Sequence, residues 1–466
     1  MPTEIEQIEI TAPVPSLRAA DGAKLKLLVT LRGSPLDYVD LPPRAAGFSE
    51  DEASYEIARR LSPAALTTVA EDLFKSPLRR STLTDADQAR AFLYGEFAKS
   101  TTTTDPIPPH PNPSRGRGGP GACATSTQQH SEFELFPGQS RPLVSVVVCT
   151  VNRPDNLKRC LDALDQLDYP NREIIVVDNN PAGSKCREIT DGRPVVYARE
   201  ARRGLSYARN TGIRRARGEI IALTDDDCAP ARDWLDWIVR PFAEPRVMCV
   251  TGLVIPAQLE NEAQELFEEY GGLGRGFAPK VYGAAFLKRR RLRAVPTWHI
   301  GATANAAFRA EGLRRIGLFD VTLGVGTPTG CSEDTYAFYR LLQLGYECVY
   351  EPRAYVHHYH RSDRKGLRKQ LFGYSKGHYA YHIKLLLLHR DLRALFHMLV
   401  FMPLVHVSRI GRSLLRRSRF PIRLILWEML GNALGPLSLL QSTLRAKRLG
   451  VGPDGEEREF SSTGNL

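Results

Sequence analysis

The chain has 466 residues, 42% of them hydrophobic and 25% charged, with a formal net charge of +11. That length allows more than one domain, and the balance excludes a disordered or fibrous protein. Eight cysteines are scattered without a C-x-x-C pair, which argues against a zinc knuckle or a disulfide framework and for buried thiols.

In chain order, MPTEIEQIEITAP has no basic stretch followed by an apolar one, so no secretory signal is visible and a cytoplasmic body is expected. Over residues 1–98, a strand-like KLKLLVTLRG and a helical ASYEIARRLSPAALTTVAEDLF predict a small accessory α+β module. Residues 99–142, rich in Thr, Pro, Gly and Ser (STTTTDPIPPHPNPSRGRGGPGACATSTQQ), cannot bury a core and read as a disordered tether.

From residue 143 the texture changes. VSVVVCT (144–150) precedes a helix opened by Pro154 and Asp155. EIIVVDN (173–179), VVYARE (195–200), a helix over 205–216 and EIIALTDDD follow. This βαβα order predicts a mostly parallel, Rossmann-like sheet whose ligands lie beyond the carboxyl ends of the strands. Thr150, Asn152, Arg153, Asp178, Asn179, Asp225, Asp226 and Asp227 all fall at such ends and should converge on one edge. Three consecutive aspartates repel one another unless cations sit among them. By itself the triplet reads as a solvated turn or a helix cap; after a buried strand, with Asp178 ending another, it suits a divalent metal and nucleotide phosphates. Hard oxygen ligands favour Mg2+ or Mn2+.

The stretches SVVVCTVNRPDNLKRCLDALDQLDYPNREIIVVDNN and ARRGLSYARNTGIRRARGEIIALTDDDCAP, with GATANAAFRAEGLRRIGLFDVTLGVG and SEDTYAFYRLLQLGYECVYEPRAYVHHYHR further on, resemble a family 2 glycosyltransferase with the GT-A fold. The resemblance spans 143–361. It implies that Thr150, Asn152 and Arg153 form the nucleotide-holding loop and that Asp178 contacts the base. Asp225 and Asp227 then match the D-x-D motif, the first near the ribose and the metal, the second a metal ligand, with Asp226 at the variable position. Arg209 and Asn210 match a helix segment that supports the donor site. Glu333 and Asp334 match an acidic pair whose aspartate is the general base; their other reading is a helix N-terminus, which Ser332 could also cap. A histidine completing the metal shell is expected at His358, with His357 and His360 as neighbouring candidates. Trp298 and Asn305 fall on the segment that lines the acceptor side.

Residues 362–466 form a basic amphipathic helical region. Between 361 and 450 there are eighteen Lys/Arg against three acids, interleaved with IKLLLL, ALFHMLVFMPLVHV and RLILWEML. The mixture suits an anionic membrane surface rather than nucleic acid. Neither 394–407 nor 421–440 reads as a spanning helix, since His397, Pro403, His406, Arg423, Glu428, Asn432 and Pro436 interrupt them. Helices lying in the interface are expected, with Arg412, Arg416, Arg417 and Arg419 against headgroups.

The resulting expectation is an inverting, metal-dependent glycosyltransferase, peripheral on the inner face of the cell membrane. Its donor would be a UDP- or dTDP-sugar and its acceptor a cell-surface glycan or a lipid-linked molecule. Two alternatives remain: a nucleotidyltransferase on a similar scaffold, which should show a glycine-rich, lysine-bearing loop after the first strand that VCTVNRPDN is not, and a non-catalytic sugar-nucleotide-binding membrane scaffold.

Overall fold

The computed structural model describes residues 3–12, 14–19, 23–74, 141–180, 185–288 and 293–453. The expected tether therefore lies almost wholly outside the described residues. The N-terminal elements are β1 (Thr3–Glu9), β2 (Lys24–Leu31) and β3 (Ser34–Leu41), which form a sheet in that order, followed by α1 (Glu50–Arg60) and α2 (Pro63–Phe74). The single helix expected here is two. Ser49 and Glu52 close a capping box on α1, and Pro63 opens the second helix where its missing N–H is tolerated.

The second body begins with β4 (Val144–Thr150), buried at every residue as a central strand of a covered sheet must be. There follow α3 (Pro154–Asp165), β5 (Arg172–Asp178), α4 (Cys186–Thr190), β6 (Val195–Arg199), α5 (Leu205–Arg215), β7 (Ile220–Asp225), β8 (Cys228–Pro230), α6 (Trp234–Val239) and β9 (Val247–Pro256). Then come α7 (Glu262–Tyr270), β10 (Lys280–Tyr282), α8 (Ala284–Lys288), β11 (Asn305–Arg309), α9 (Ala310–Arg315), α10 (Glu333–Gln343) and β12 (Glu347–His358).

Among the described residues the sheet order is β10-β12-β9-β11-β7-β4-β5-β6, with β8 paired to β12. Strands β7, β4, β5 and β6 are parallel, whereas β11 runs antiparallel between β7 and β9. The chain lays β5 and β6 to one side of β4 and then returns with β7 on the other. That reversal leaves a crevice at the carboxyl ends of β4 and β7, where ligands of open α/β sheets bind. Helix α5 packs tightly enough on this sheet that a Cβ at Gly212 would clash with Val147 Cγ1.

Three long helices follow. They are α11 (Arg364–His389), α12 (Arg393–Leu414, with a π-helical turn over His397–Phe401) and α13 (Ile422–Arg448). They belong to the same compact unit as the sheet. Leu371 and Leu367 of α11 pack with Phe267 of α7, and Tyr381 and Leu385 pack with Tyr336 and Tyr339 of α10. Gly431 and Gly435 let α13 lie close on α11, since a Cβ at Gly435 would meet Tyr379 Cβ at 2.5 Å. Glu428 and Asn432, which interrupt the apolar pattern of α13, point inward. Glu428 takes a bidentate pair from Arg409 of α12 at 2.6 and 2.9 Å, and Asn432 bonds His406 at 2.8 Å.

The apolar stretch of α12 is also longer than the fourteen residues read from the sequence. Helix Arg393–Leu414 runs 22 residues, long and apolar enough by length and composition to cross a membrane.

Candidate functional site

The parallel register sets the site. Cys149 of β4 lies beside Asp225 of β7, so Thr150 and the aspartate triplet emerge together. The protein itself answers the triplet's repulsion with three cationic partners. Arg209 Nη2 reaches Asp225 Oδ1 at 3.0 Å, Arg153 Nη1 bridges Asp226 Oδ1 and Asp227 Oδ2 at 2.9 Å each, and His358 Nε2 stands 3.4 Å from Asp227 Oδ1.

The three carboxylates are not equivalent. Asp226 is buried and accepts Thr150 Oγ1–H at 2.7 Å. Burial pushes its pKa up to about 7, against the pull of Arg153. Burial would raise Asp227 too, but His358 and Arg153 outweigh it and hold that carboxyl below the usual carboxylate range. Asp227 thus stays charged, and Asp226 braces the nucleotide loop from inside.

His358 reaches Asp227 through strand pairing. After the triplet, β8 runs antiparallel to the end of β12, which puts His358 opposite Cys228, and Tyr359 N–H donates to Asp227 O at 2.9 Å. His358 and His360 share one face of the chain and His357 the other, where its ring meets Tyr355. A further chain of bonds orients His358. His360 Nε2 lies 2.8 Å from Glu268 Oε1, and His360 Nδ1 lies 2.6 Å from His358 Nδ1. The Glu268 carboxylate accepts from His360 Nε2–H, so His360 Nδ1 carries the lone pair and accepts from His358 Nδ1–H. Against the effect of burial, Asp227 favours a proton on His358 Nε2 and raises the imidazole's pKa; loss of that proton would free Nε2 to bind a metal. Glu268, on α7, is the residue that sequence reasoning missed; nothing in its local pattern distinguishes it.

Asp227, Cys228 and His358 bring one ligand atom each within 4.8 Å of one another, and the carboxylate and imidazole of this set fit Mn2+ or Mg2+; Asp225, expected beside them, is held by Arg209. The 3.4 Å between Asp227 Oδ1 and His358 Nε2 is close to the roughly 3 Å separating adjacent ligands on bonds of about 2.1 Å at right angles.

Arg209 joins this end of the site to the other. It is 3% exposed, and its Nη1 donates to Glu333 Oε1 at 2.7 Å while Nη2 holds Asp225. Burial and the adjacent Asp334 push Glu333 up to about 7, with Arg209 opposing. Asp334 is half-buried at the first turn of α10. Its Oδ1 accepts from Thr335 N–H at 2.6 Å, and its Oδ2 lies 3.4 Å from Thr303 N. Ser332 does not cap this helix with its side chain; it sits at φ 78, a strained left-handed position next to the acidic pair.

The remaining expected residues are placed as follows. Asn152 is exposed at φ 56, a conformation asparagine tolerates, and accepts from Asn180 Nδ2 at 3.2 Å. Asp178 is fully covered, its oxygens accepting from Asn180 N–H at 3.1 Å and Tyr197 O–H at 2.8 Å. Tyr197 therefore stands over the oxygen that a base would approach. Asn210 is a core residue bonded to Phe319. One expectation is corrected. Asn305 is wholly buried and uses its amide on Trp234 Nε1, Leu253 O and Ala354 O, each at 2.8 Å, so it knits β11 to its neighbours and touches no acceptor. Trp298 is partly exposed and packs its ring against His378, His382 and His397.

Residues 145–317 match the family model described as Glycosyl transferase family 2. Over that stretch the chain is similar to family 2 glycosyltransferases. Its α/β sheet is the GT-A arrangement expected from the sequence, with a small N-terminal sheet and a helical C-terminus. Curated relatives include the pre-mycofactocin glycosyltransferase of Mycobacterium tuberculosis, 27% identical over 246 residues, which are 51% of this chain and 47% of that protein. Glycosyltransferase AglE of Haloferax volcanii is 33% identical over 121 residues, 24% of this chain and 40% of the relative. The chain thus spans about half or less of the length of these relatives. Among solved structures, a mannosyltransferase from Pyrobaculum calidifontis in complex with GDP-Man and Mn2+ aligns with a TM-score of 0.45 and 20% identity, over 64% of this chain and 88% of that one.

Proposed function

We propose that the protein is an inverting, metal-dependent glycosyltransferase that moves a sugar from a nucleoside diphosphate sugar, UDP- or dTDP-linked, to a glycan or lipid-linked acceptor at a membrane surface. The observation that carries this reading is the Arg209 bridge. One buried guanidinium ties the D-x-D aspartate at the donor end to the acidic pair on α10, so donor-binding and proton-accepting groups form one constellation. Asp227 and His358 would hold Mn2+ or Mg2+, which supplies positive charge to the departing diphosphate.

The chain's own residues do the rest. Asp334 accepts the proton of the attacking acceptor hydroxyl as its oxygen bonds to the anomeric carbon and the bond to the diphosphate breaks. Attack on the face opposite the leaving group inverts the configuration. Glu333, locked to Arg209, holds the start of α10 and leaves Asp334 as the group facing the acceptor. Arg153, which bridges Asp226 and Asp227, is the cation at this edge that would meet the donor's phosphates.

The membrane reading is supported by an apolar surface with basic flanks. Leu395, Leu399, Leu404 and Val407 of α12 and Leu437 and Leu440 of α13 are exposed, and Arg412, Arg416, Arg417 and Arg419 cluster at the turn between these helices. Such a surface fits an anionic bilayer, with α12 lying in the interface and the protein on the cytoplasmic face.

Asp227→Ala tests the site. Mn2+-dependent binding of UDP or dTDP should vanish by calorimetry, and unchanged affinity would refute the assignment. Cosedimentation tests the surface: binding to phosphatidylglycerol vesicles with release by high salt supports it. Equal binding to neutral phosphatidylcholine, or resistance to carbonate extraction, would overturn the interfacial reading.

A further inference from the structure

A second cluster of metal-ligating side chains lies on α11 and α12, built from elements other than those that carry Asp227 and His358. We propose that His378, His382 and His397 form a binding site for a divalent transition metal ion of the zinc class, pinning α12 to α11. The inference stands independently of the glycosyltransferase reading.

His378 and His382 are four residues apart on α11 and so share one face. His397 opens the π-helical turn of α12, which swings its ring toward that face. One nitrogen from each ring lies within 4.8 Å of the others, and the two Nε2 atoms of His378 and His397 are 2.9 Å apart. The ring centroids are separated by 4.3 Å (378 to 382), 4.3 Å (382 to 397) and 5.2 Å (378 to 397). Three imidazoles on one ion at bonds of about 2.0–2.1 Å and angles between 90° and tetrahedral would place their centroids roughly 4.5–5.2 Å apart. The centroid spacing is thus within a few tenths of an ångström of that of a coordinated triad; the His382 and His397 rings are stacked 4° from parallel, so one of them turns, and the hydrogen bond between His378 and His397 gives way, when an ion enters.

The hydrogen bonding of His382 points the same way. Its Nδ1 lies 2.7 Å from the carbonyl oxygen of His378, which can only accept, so the proton is on Nδ1 and Nε2 holds the lone pair. That Nε2 is buried and has no hydrogen-bond partner, a cost that an ion would remove. A backbone carbonyl fixing the tautomer of a ligand histidine is the outer arrangement metal sites use.

The surroundings select the ion. Trp298 walls the triad with its ring 4.7, 5.8 and 5.4 Å from the three histidines, and Phe401 lies 5.2 Å from His397. No carboxylate or thiol belongs to the triad; Asp391 is the anion whose field reaches His382. An all-imidazole set favours Zn2+, Co2+, Ni2+ or Cu2+ over Mg2+ and Mn2+, the reverse of the preference at Asp227. A fourth position is left for water or an anion.

The test uses full-length protein purified without a polyhistidine tag, stripped with EDTA and reloaded with Zn2+ in excess Mg2+, which saturates the carboxylate site. One equivalent of Zn2+ should survive gel filtration in the wild type and in Asp227→Ala, and be lost in His378→Gln and in His382→Gln. Zn2+ should raise Tm in the first two proteins only. Should the glutamine variants not fold, X-ray absorption of the zinc-loaded wild type decides, with three imidazoles in the zinc shell as the expected result. The site is overturned if the wild type retains no stoichiometric zinc, if the glutamine variants retain it equally, or if the shell holds fewer than two imidazoles. Loss of zinc in Asp227→Ala would likewise overturn it, whereas loss of nucleotide binding alone in that variant speaks only to the donor site.

Discussion

Asp334→Asn separates catalysis from folding at the point where the acidic pair meets α10. The amide keeps the side chain's size, and its carbonyl can still accept from Thr335 N–H, the 2.6 Å bond that holds the carboxylate. What is lost at the other oxygen is a 3.4 Å contact to Thr303 N, long for a hydrogen bond. The folding cost should therefore stay below about 1 kcal/mol. A missing general base costs about 10²- to 10⁴-fold in turnover, equivalent to roughly 3 to 5 kcal/mol of barrier. The assay is release of nucleoside diphosphate with acceptor present, beside donor affinity by calorimetry and Tm. Donor affinity and Tm should stay close to wild type while turnover falls. Glu333→Gln is the counterpart: it weakens the 2.7 Å charge-assisted bond to Arg209 and should lower stability along with rate. A well-folded Asp334→Asn protein with near wild-type turnover would refute the assignment of Asp334 as base.

Three further outcomes are expected. Arg209→Met leaves Asp225 and buried Glu333 without their shared cation, which should cost about 3 to 5 kcal/mol in chemical denaturation; adding Glu333→Gln should recover part of it, and strictly additive losses would show that the two do not interact. Glu268→Ala removes the anion that fixes the His360 and His358 tautomers and should weaken Mn2+ dependence of nucleotide binding about 10- to 100-fold; an unchanged Mn2+ titration would show that the relay does not orient His358. Gly435→Leu drives a side chain into Tyr379 and the Lys376 carbonyl and should lower Tm by an overpacking cost of about 1 to 3 kcal/mol, whereas Gly411→Ala, with open space around it, should be neutral or slightly stabilising.

The sequence by itself determined the local structure of the α/β body and the edge at which its acidic residues gather. VSVVVCT, EIIVVDN and EIIALTDDD are short β-rich runs ending in polar residues, and a right-handed parallel sheet can only bring such ends to one edge. That the aspartate triplet would emerge beside Thr150 was legible for that reason. Which cations answer the triplet was not, because Arg153, Arg209 and His358 come from three elements whose meeting depends on strand order. His358 is distinguished from His357 and His360 only by the register of β8 on β12, which places it beside Asp227. Asn305 was misread for the complementary reason: a polar residue near a strand end looks available until the neighbouring strands are in place to consume its bonds. Glu428 and Asn432 look like interruptions of an apolar helix, and become the inward groups that hold α12 once that helix is packed against them. The histidine triad belongs wholly to tertiary structure, since no spacing in the chain announces that a π-helical turn will carry His397 back to His378 and His382.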